Sequence, residues 1–336
     1  MSAVSTTTTK KRKPRIEVRR FAGVEEHAET LSHLRVAHLT DLHFGRVTPI
    51  AVHRHAIELT NAEKPDLVVI TGDFVCHSQL YLDSMMETLG KLEAPAMAVL
   101  GNHDYWSGAG EVERALTRGG IEVLKNQHTT ITLRHQRLQV VGLDDSYTGH
   151  ADRDKAIKGL RRDVASIGLS HIAEEADALW YHGVPLVLSG HTHGGQVTFA
   201  RLHELALGKL VGHKYVHGLY GKRKSRGDDH PLGAVYVGAG IGAAVMPLRL
   251  GDRGRRELAM FELGHEVIDF DEHHGEQPAL VGRKPSPELV AKRQSYVHKR
   301  ELQREIAEAR KYLEKMKKDG RTSWPPPDIG SGNLGP

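Results

Sequence analysis

The chain has a single cysteine, Cys76, among its 336 residues. One thiol cannot close an intrachain disulfide, so a disulfide-stapled scaffold is excluded and a reducing compartment fits. Long hydrophobic runs are missing too: nothing approaches the ~18 consecutive apolar residues of a membrane span. Arg19-Arg20 precedes "FAGVEEHAETL", which is too polar for the apolar core of a signal peptide or a twin-arginine export signal. No repeat of fixed period is visible. A strong net charge is lacking as well. The formal value is +4, and much of the excess sits in Lys10-Lys11-Arg12-Lys13 and in a Lys/Arg-rich stretch near the end. Such runs are usually solvated; the sharper reading is a phosphate-bearing or membrane-surface partner.

What remains is ordinary for a soluble globular protein, at 39% hydrophobic and 26% charged residues. The length suits two domains, or one large α/β domain with tails. Residues 1–30 are Ser/Thr-rich, then basic, then mixed polar, and are expected to form a flexible arm. From residue 31 to 265 short apolar runs alternate with segments of helical spacing. "LRVAHLT", "DLVVIT", "AMAVL", "LQVVGL", "ASIGLS", "VPLVLS", "GAVYVG" and "ELAMFEL" read as strands. "IAVHRHAIELTNAEK", "QLYLDSMMETLGKLE" and "GAGEVERALTRGG" read as helices. This alternation predicts an α/β fold with layered sheets. The later strands lack intervening helices, so the second sheet is expected to be partly antiparallel.

Residues 266–285 read as a linker. Residues 286–320 read as one long basic helix, with Ser286 as cap, Pro287 in the first turn and Gly320 at the end. Leu289, Val297, Leu302, Ile306 and Leu313 give it a thin apolar stripe. Packing on the core or on another subunit is the plainer reading, and a membrane-surface helix the alternative. Residues 321–336 are expected to be a disordered tail.

The chemistry sits where strands end. "VAHLTDLHFGR" offers Asp41 and His43, "LVVITGDFV" Asp73, and "AVLGNHDYW" Asn102, His103 and Asp104. "SIGLSHI" offers His171 and "LSGHTHGGQV" His191 and His193. Each has a plain explanation alone, because Asp after a strand caps helices and Gly-Asn or Gly-Asp makes turns. Ligands of open α/β sheets gather beyond the carboxyl ends of the strands, so five such ends offer polar groups to one space. Carboxylates and imidazoles without thiolates suit Mn, Fe or Zn. The donors outnumber what one ion takes, whereas two ions sharing a bridging carboxylate use them all. Paired metals are the usual solution for hydrolysing phosphate esters.

In their order, "DLH", "GD", "GNHD", "SH" and "GHTH" resemble the calcineurin-like metallophosphoesterases, over about residues 34 to 263. The wider context of "TDLHFGR", "LGNHDYW", "VVGLDDSY" and "GAGIGAAVMPLRLG" is similar to a bacterial phosphodiesterase branch related to enzymes that cleave UDP-2,3-diacylglucosamine. The resemblance implies a four-layer α/β/β/α sandwich of two mixed β-sheets flanked by helices. It implies that Asp41, His43 and His193 hold one metal, that Asn102, His171 and His191 hold the other, and that Asp73 bridges. His103 would contact the phosphate and protonate the leaving oxygen, oriented by Asp104 or another carboxylate.

The chain departs from the family pattern at Cys76, where a second Asp often follows the bridging one, and after His171, where "SHIAEEAD" replaces "SHNPD". For Cys76 a small buried hydrophobe is the preferred reading. Arg46 is a candidate for substrate phosphate, and Asp144 and Asp145 for a turn or for support behind the site. "GAGIGAA" reads as a close backbone passage. The expected activity is hydrolysis of a phosphodiester or pyrophosphate bond in a lipid-linked or nucleotide substrate. A nuclease or cyclic-nucleotide phosphodiesterase is the alternative, and a non-catalytic scaffold the alternative of another class. The expected location is cytoplasmic, with peripheral contact at the inner membrane left open.

Overall fold

The computed structural model describes residues 14–195, 212–224, 232–243, 255–267 and 277–319. One sheet is built from β1 (Glu17–Ala22), β12 (Glu257–Leu263), β2 (Leu34–Leu39), β3 (Leu67–Thr71), β4 (Ala96–Val99) and β5 (Ile121–Val123), in that order. The other runs β10 (Gly218–Lys222), β11 (Gly233–Val237), β9 (Leu186–Ser189), β8 (Ser166–Leu169), β7 (Gln136–Gly142) and β6 (Gln127–Leu133). Both are mixed. β2 through β5 are parallel and β12 is antiparallel to β2. In the second sheet β7, β8, β9 and β11 are parallel, with β6 and β10 antiparallel at the edges.

The central strands are buried on both faces, which is why they read as unbroken apolar runs. Leu34, Val36, Leu67, Val69 and Val99 of the first sheet pack with Leu138, Val140, Ile167, Leu169, Leu186, Leu188 and Tyr236 of the second. The outer face of the second sheet carries Val141, Val187, Val235 and Val237 against Ala156 of α6 (Arg153–Ile157) and Ala176 and Leu179 of α7 (Ala176–Tyr181). Among the described residues the remaining α-helices of the body are α1 (Glu25–Thr30), α2 (Ile50–Ala62), α3 (Leu82–Leu89), α4 (Asn102–Ser107) and α5 (Ala109–Arg118). The architecture is the expected two mixed sheets flanked by helices.

The flexible arm over 1–30 does not hold for its second half. β1 pairs in parallel with β12 from Glu17↔Glu257 to Ala22↔Glu262. Its Phe21 lies 4.9 Å from the Tyr236 ring and 5.6 Å from Phe261. The strand looks polar because Arg19 points inward, but there it meets Glu257 at 3.3 Å. The expected linker over 266–285 also differs in part. Gln277, Leu280 and Arg283 donate backbone N–H groups to Leu219, Lys214 and Gly212 (2.9, 2.9 and 2.8 Å), so this segment lies along the 212–219 backbone. Residues 1–13, 268–276 and 321–336 lie outside the described residues.

The long helix is present as α8 (Pro287–Lys318), and Ser286 Oγ accepts the Leu289 N–H at 3.2 Å as a cap. The chain divides inside it into two compact units, the body ending at Gln294 and a second unit beginning at Ser295. Leu289, Leu302, Ile306 and Leu313 of the helix are exposed. No helix among the described residues is long and apolar enough to cross a membrane.

Candidate metal centre

Five parallel strands end on the same region. β2 delivers Asp41 and His43, β3 Asp73 and β4 Asn102. β8 delivers His171, and β9 delivers His191 and His193. All are buried or nearly so. The backbone bends sharply to turn them inward: Asp41, His43, Asp73, His191 and His193 have φ between 46° and 75°. Asp and His tolerate this left-handed region better than most residues, and such conformations collect at functional sites. The glycines of the motifs have a steric reason. A Cβ at Gly190 would collide with Thr40 and Asp41, and one at Gly101 with Asp73.

Two of the ligand-like groups that form share Asp73. Asp41, His43, Asp73 and His193 make one; Asp73, His171 and His191 make the other; in each, the donor atoms lie within 4.8 Å of one another. His43 Nε2 faces His193 Nε2 at 3.0 Å, and His171 Nε2 faces His191 Nδ1 at 3.3 Å. Two nitrogens bound about 2.1 Å from one ion at tetrahedral or octahedral angles stand about 3–3.4 Å apart. His171 Nδ1 donates to the Thr71 carbonyl at 2.7 Å, which makes Nε2 the ring atom available to a cation. Asn102 Oδ1 is buried without a hydrogen-bond partner. A buried acceptor with no donor is costly, and a divalent cation would satisfy it.

The electrostatics agree. Burial would lower the pKa of both His43 and His171, but the surrounding carboxylates outweigh it. Hydrogen bonds to Asp41 and Cys76, with the charge of Asp73, hold His43 at about 9. The charge and hydrogen bond of Asp73 hold His171 at about 10. Burial would raise Asp73, yet the imidazoles of His171 and His103 hold it well below the usual carboxylate range. Cation-binding carboxylates and proton-holding imidazoles thus occupy one volume.

The chain's similarity to known proteins is concentrated in this region. The family model for calcineurin-like phosphoesterases matches residues 34–195. Phosphodiesterase YaeI of Escherichia coli strain K12 is 30% identical over 235 residues, covering 68% of this chain and 82% of that protein. The chain belongs to the calcineurin-like phosphoesterase family. The metallophosphoesterase YkuE of Bacillus subtilis strain 168 is 29% identical over 235 residues, covering 68% of this chain and 78% of the relative. A zebrafish (Danio rerio) transmembrane protein with a metallophosphoesterase domain is 32% identical over 249 residues; the match takes in 68% of this chain but only 53% of that protein. As a calcineurin-like phosphoesterase, the chain is a metal-dependent phosphoester hydrolase.

His103 stands at the edge of the first group. Its backbone N–H donates to Asp73 Oδ1 at 2.9 Å, and its ring Nε2 is 3.9 Å from Asp73 Oδ2. The ring packs on His43, His77 and Trp106, with centroids 4.8, 4.5 and 4.6 Å away. Asp104 does not orient it. The Asp104 carboxylate accepts the N–H groups of Phe74, Val75 and Gly101 at 2.8, 3.2 and 2.9 Å, clamping the loop after β3 to the loop after β4. At the first turn of α4 this is what an acidic side chain does most readily. Burial and then the charge of Asp73 raise Asp104 to about 7.

Cys76 is also placed differently from the small buried hydrophobe expected. It is half-exposed, and its sulfur groups with His43 and His103 within 4.8 Å. Arg46 is exposed, on the turn between Phe44 and Thr48. Asp145 serves a turn, accepting from the Tyr147 and Thr148 N–H groups at 3.3 and 2.8 Å. Asp144 accepts the Tyr105 hydroxyl at 2.7 Å. The described part of "GAGIGAA" passes close to the ligands, with Ile241 and Gly242 donating to the carbonyls of Thr40 and Asp41 at 3.1 and 2.7 Å.

Sequence reasoning missed the ring-bearing residues around the ligands. His77 stacks on Trp106, Tyr147 lies 5.1 Å from the His191 ring, and His213 lies 5.3 Å from it. Trp106 stands inside the quoted "GNHDYW" and could have been found there. His213, twenty positions after His193, carried no signal.

Proposed function

We propose that this chain hydrolyses a phosphodiester or pyrophosphate bond at a two-ion centre. Asp41, His43, Asp73 and His193 would hold one divalent cation, and Asp73, Asn102, His171 and His191 the other. The observation that carries this reading is the division of Asp73. Its Oδ2 lies 3.5 Å from His43 Nε2, and its Oδ1 lies 3.4 Å from His171 Nε2. One carboxylate therefore serves both groups. The imidazole and carboxylate donors suit Mn, Fe or Zn. When bound, two such ions would neutralise phosphoryl oxygens and supply an activated water for hydrolysis.

The chain's own residues supply the proton. His103 stands beside the shared carboxylate and outside the two groups that share it, and groups instead with His43 and Cys76. It would give a ring proton to the departing oxygen. Burial, together with the nearby His43, His77 and His193, outweighs the pull of Asp73 and lowers it to about 3 without substrate. An arriving phosphate brings negative charge beside the ring and moves that value up. Trp106 and His77 pack the ring in place. Arg46, three residues beyond His43, would meet the charged part of the substrate from the exposed turn.

The test is metal reconstitution with Mn, Fe or Zn, followed by elemental analysis and hydrolysis of bis-p-nitrophenyl phosphate and p-nitrophenyl phosphate. Two ions per chain and diester cleavage are expected. An active protein holding one ion would overturn the two-ion centre, and activity on the monoester alone would overturn the diester preference.

A further inference from the structure

Beyond the ligands, ring contacts continue in an arc. His103 touches Trp106, Trp106 meets Tyr147 at 6.1 Å, Tyr147 meets His191, and His191 meets His213. The Arg293 guanidinium lies 3.6 Å over the Tyr147 ring of this arc. His103 ends it next to the His43 group, and His213 ends it next to the His171–His191 group. His213 belongs to neither ligand group.

Its environment is built. His213 Nδ1 pairs with Glu174 Oε1 at 3.2 Å, and the same oxygen accepts the Lys214 N–H at 2.7 Å. Only 14% of the His213 side chain is exposed. The segment that bears it is pinned. Lys214 Nζ and the Tyr215 hydroxyl both bond Asp177, at 2.5 and 2.6 Å, and Leu280 N–H donates to the Lys214 carbonyl at 2.9 Å. The two imidazole nitrogens lie on opposite sides of the ring. With Nδ1 engaged by Glu174, Nε2 is the polar atom left for a ligand. A carboxylate behind an imidazole fixes its orientation, as it does for metal-bound histidines. A donor held in place in this way recognises phosphoryl oxygens well.

We infer that His213, positioned by Glu174, binds a second phosphoryl group of the substrate, carried on the side away from His103. This rests on the proposed pyrophosphate or diester reading and narrows it toward substrates with two phosphoryl groups. His213 is then a substrate-binding residue and Glu174 a positioning residue.

The test is calorimetric titration of the Mn-loaded protein with methylenediphosphonate and with methylphosphonate, alongside elemental analysis of each variant. Wild type is expected to favour the diphosphonate. A hydrogen bond to a charged group is worth ~1.5–3 kcal/mol, so His213→Ala should cut that preference by about tenfold to hundredfold with the metal content retained. His213→Gln, which keeps the bulk, should do the same, and Glu174→Gln should cause a smaller loss. Three results would overturn the inference: no diphosphonate preference in wild type, an undiminished preference in both His213 variants, or loss of metal from them. A wild type holding one ion would defeat the two-ion reading, while its diphosphonate preference would still report on His213.

Discussion

Two clusters of buried charge lie in the body of this protein, and they are completed differently. Around Glu257 every carboxylate oxygen has protein donors. Oε1 accepts from the Tyr236 hydroxyl and the Ala239 N–H at 2.9 and 2.7 Å; Oε2 meets His217 Nε2 at 3.0 Å and Arg19 at 3.3 Å. Burial would raise Glu257, but His217 and Arg19 hold it well down. Around Asp73 the donors do not close. Imidazole nitrogens face each other at 3.0 and 3.3 Å, and Asn102 Oδ1 has no partner. Arg19 Nε and Nη1 beside it make no hydrogen bond, so it is the Glu257 carboxylate, not every group around it, that is met by protein donors and belongs to the fold. A cluster left open, at equal burial, is arranged for something that arrives.

The comparison can be broken most directly at its two carboxylates. Asp73→Ala should lower phosphoester hydrolysis by at least about 10³-fold, because bound cations contribute several kcal/mol at the transition state. Elemental analysis should show metal lost, while the denaturation midpoint moves little. His103→Ala should retain metal and lose about 10²–10⁴-fold in kcat. The loss should shrink on p-nitrophenyl esters, whose leaving group needs little protonation; an equal loss on poor leaving groups would remove His103 from the proton step.

Glu257→Ala should invert the Asp73 pattern. Stranding Arg19 in the interior costs about 3–5 kcal/mol, read as a lower urea midpoint. Metal content of the protein that stays folded should be unchanged, and a selective loss of metal would dissolve the distinction between the two clusters.

The smallest effect is the sharpest about protons. In the cation-free site His43 and His171 are raised to about 9 and about 10. Both are therefore protonated at pH 7.5, and a cation must displace those protons. Metal affinity should rise with pH and level off only above those values, with about two protons released per chain at pH 7.5. Calorimetry in buffers of different ionisation enthalpy measures this; no release would mean that the raised values do not describe the free site.

Much of the candidate site was legible because each candidate ligand stands within a few residues of the end of an apolar strand. The strand itself is visible as a run such as "LVVIT", and the residue after it is placed at the sheet's carboxyl edge. Asp104 was misread because adjacency to His103 says nothing about direction. One residue further along a helix start, its carboxylate turns back to backbone N–H groups. β1 was misread because its inward Arg19 looks like solvent-facing charge until Glu257 is known to lie across from it. Cys76 was visible by its spacing after Asp73, but its closeness to His43 and His103 depends on how two loops fold together.

By itself the sequence determined the alternating strands and helices, the donors at five strand ends and the family they match. Those depend on local periodicity and on residue type, which are written along the chain. The family resemblance implied a grouping of these donors, and the tertiary structure brings their atoms together. Asp73 and His171 stand 98 positions apart in the sequence, yet their atoms come within 3.4 Å. Two sheets must pack face to face before one carboxylate can turn an oxygen toward each group of histidines.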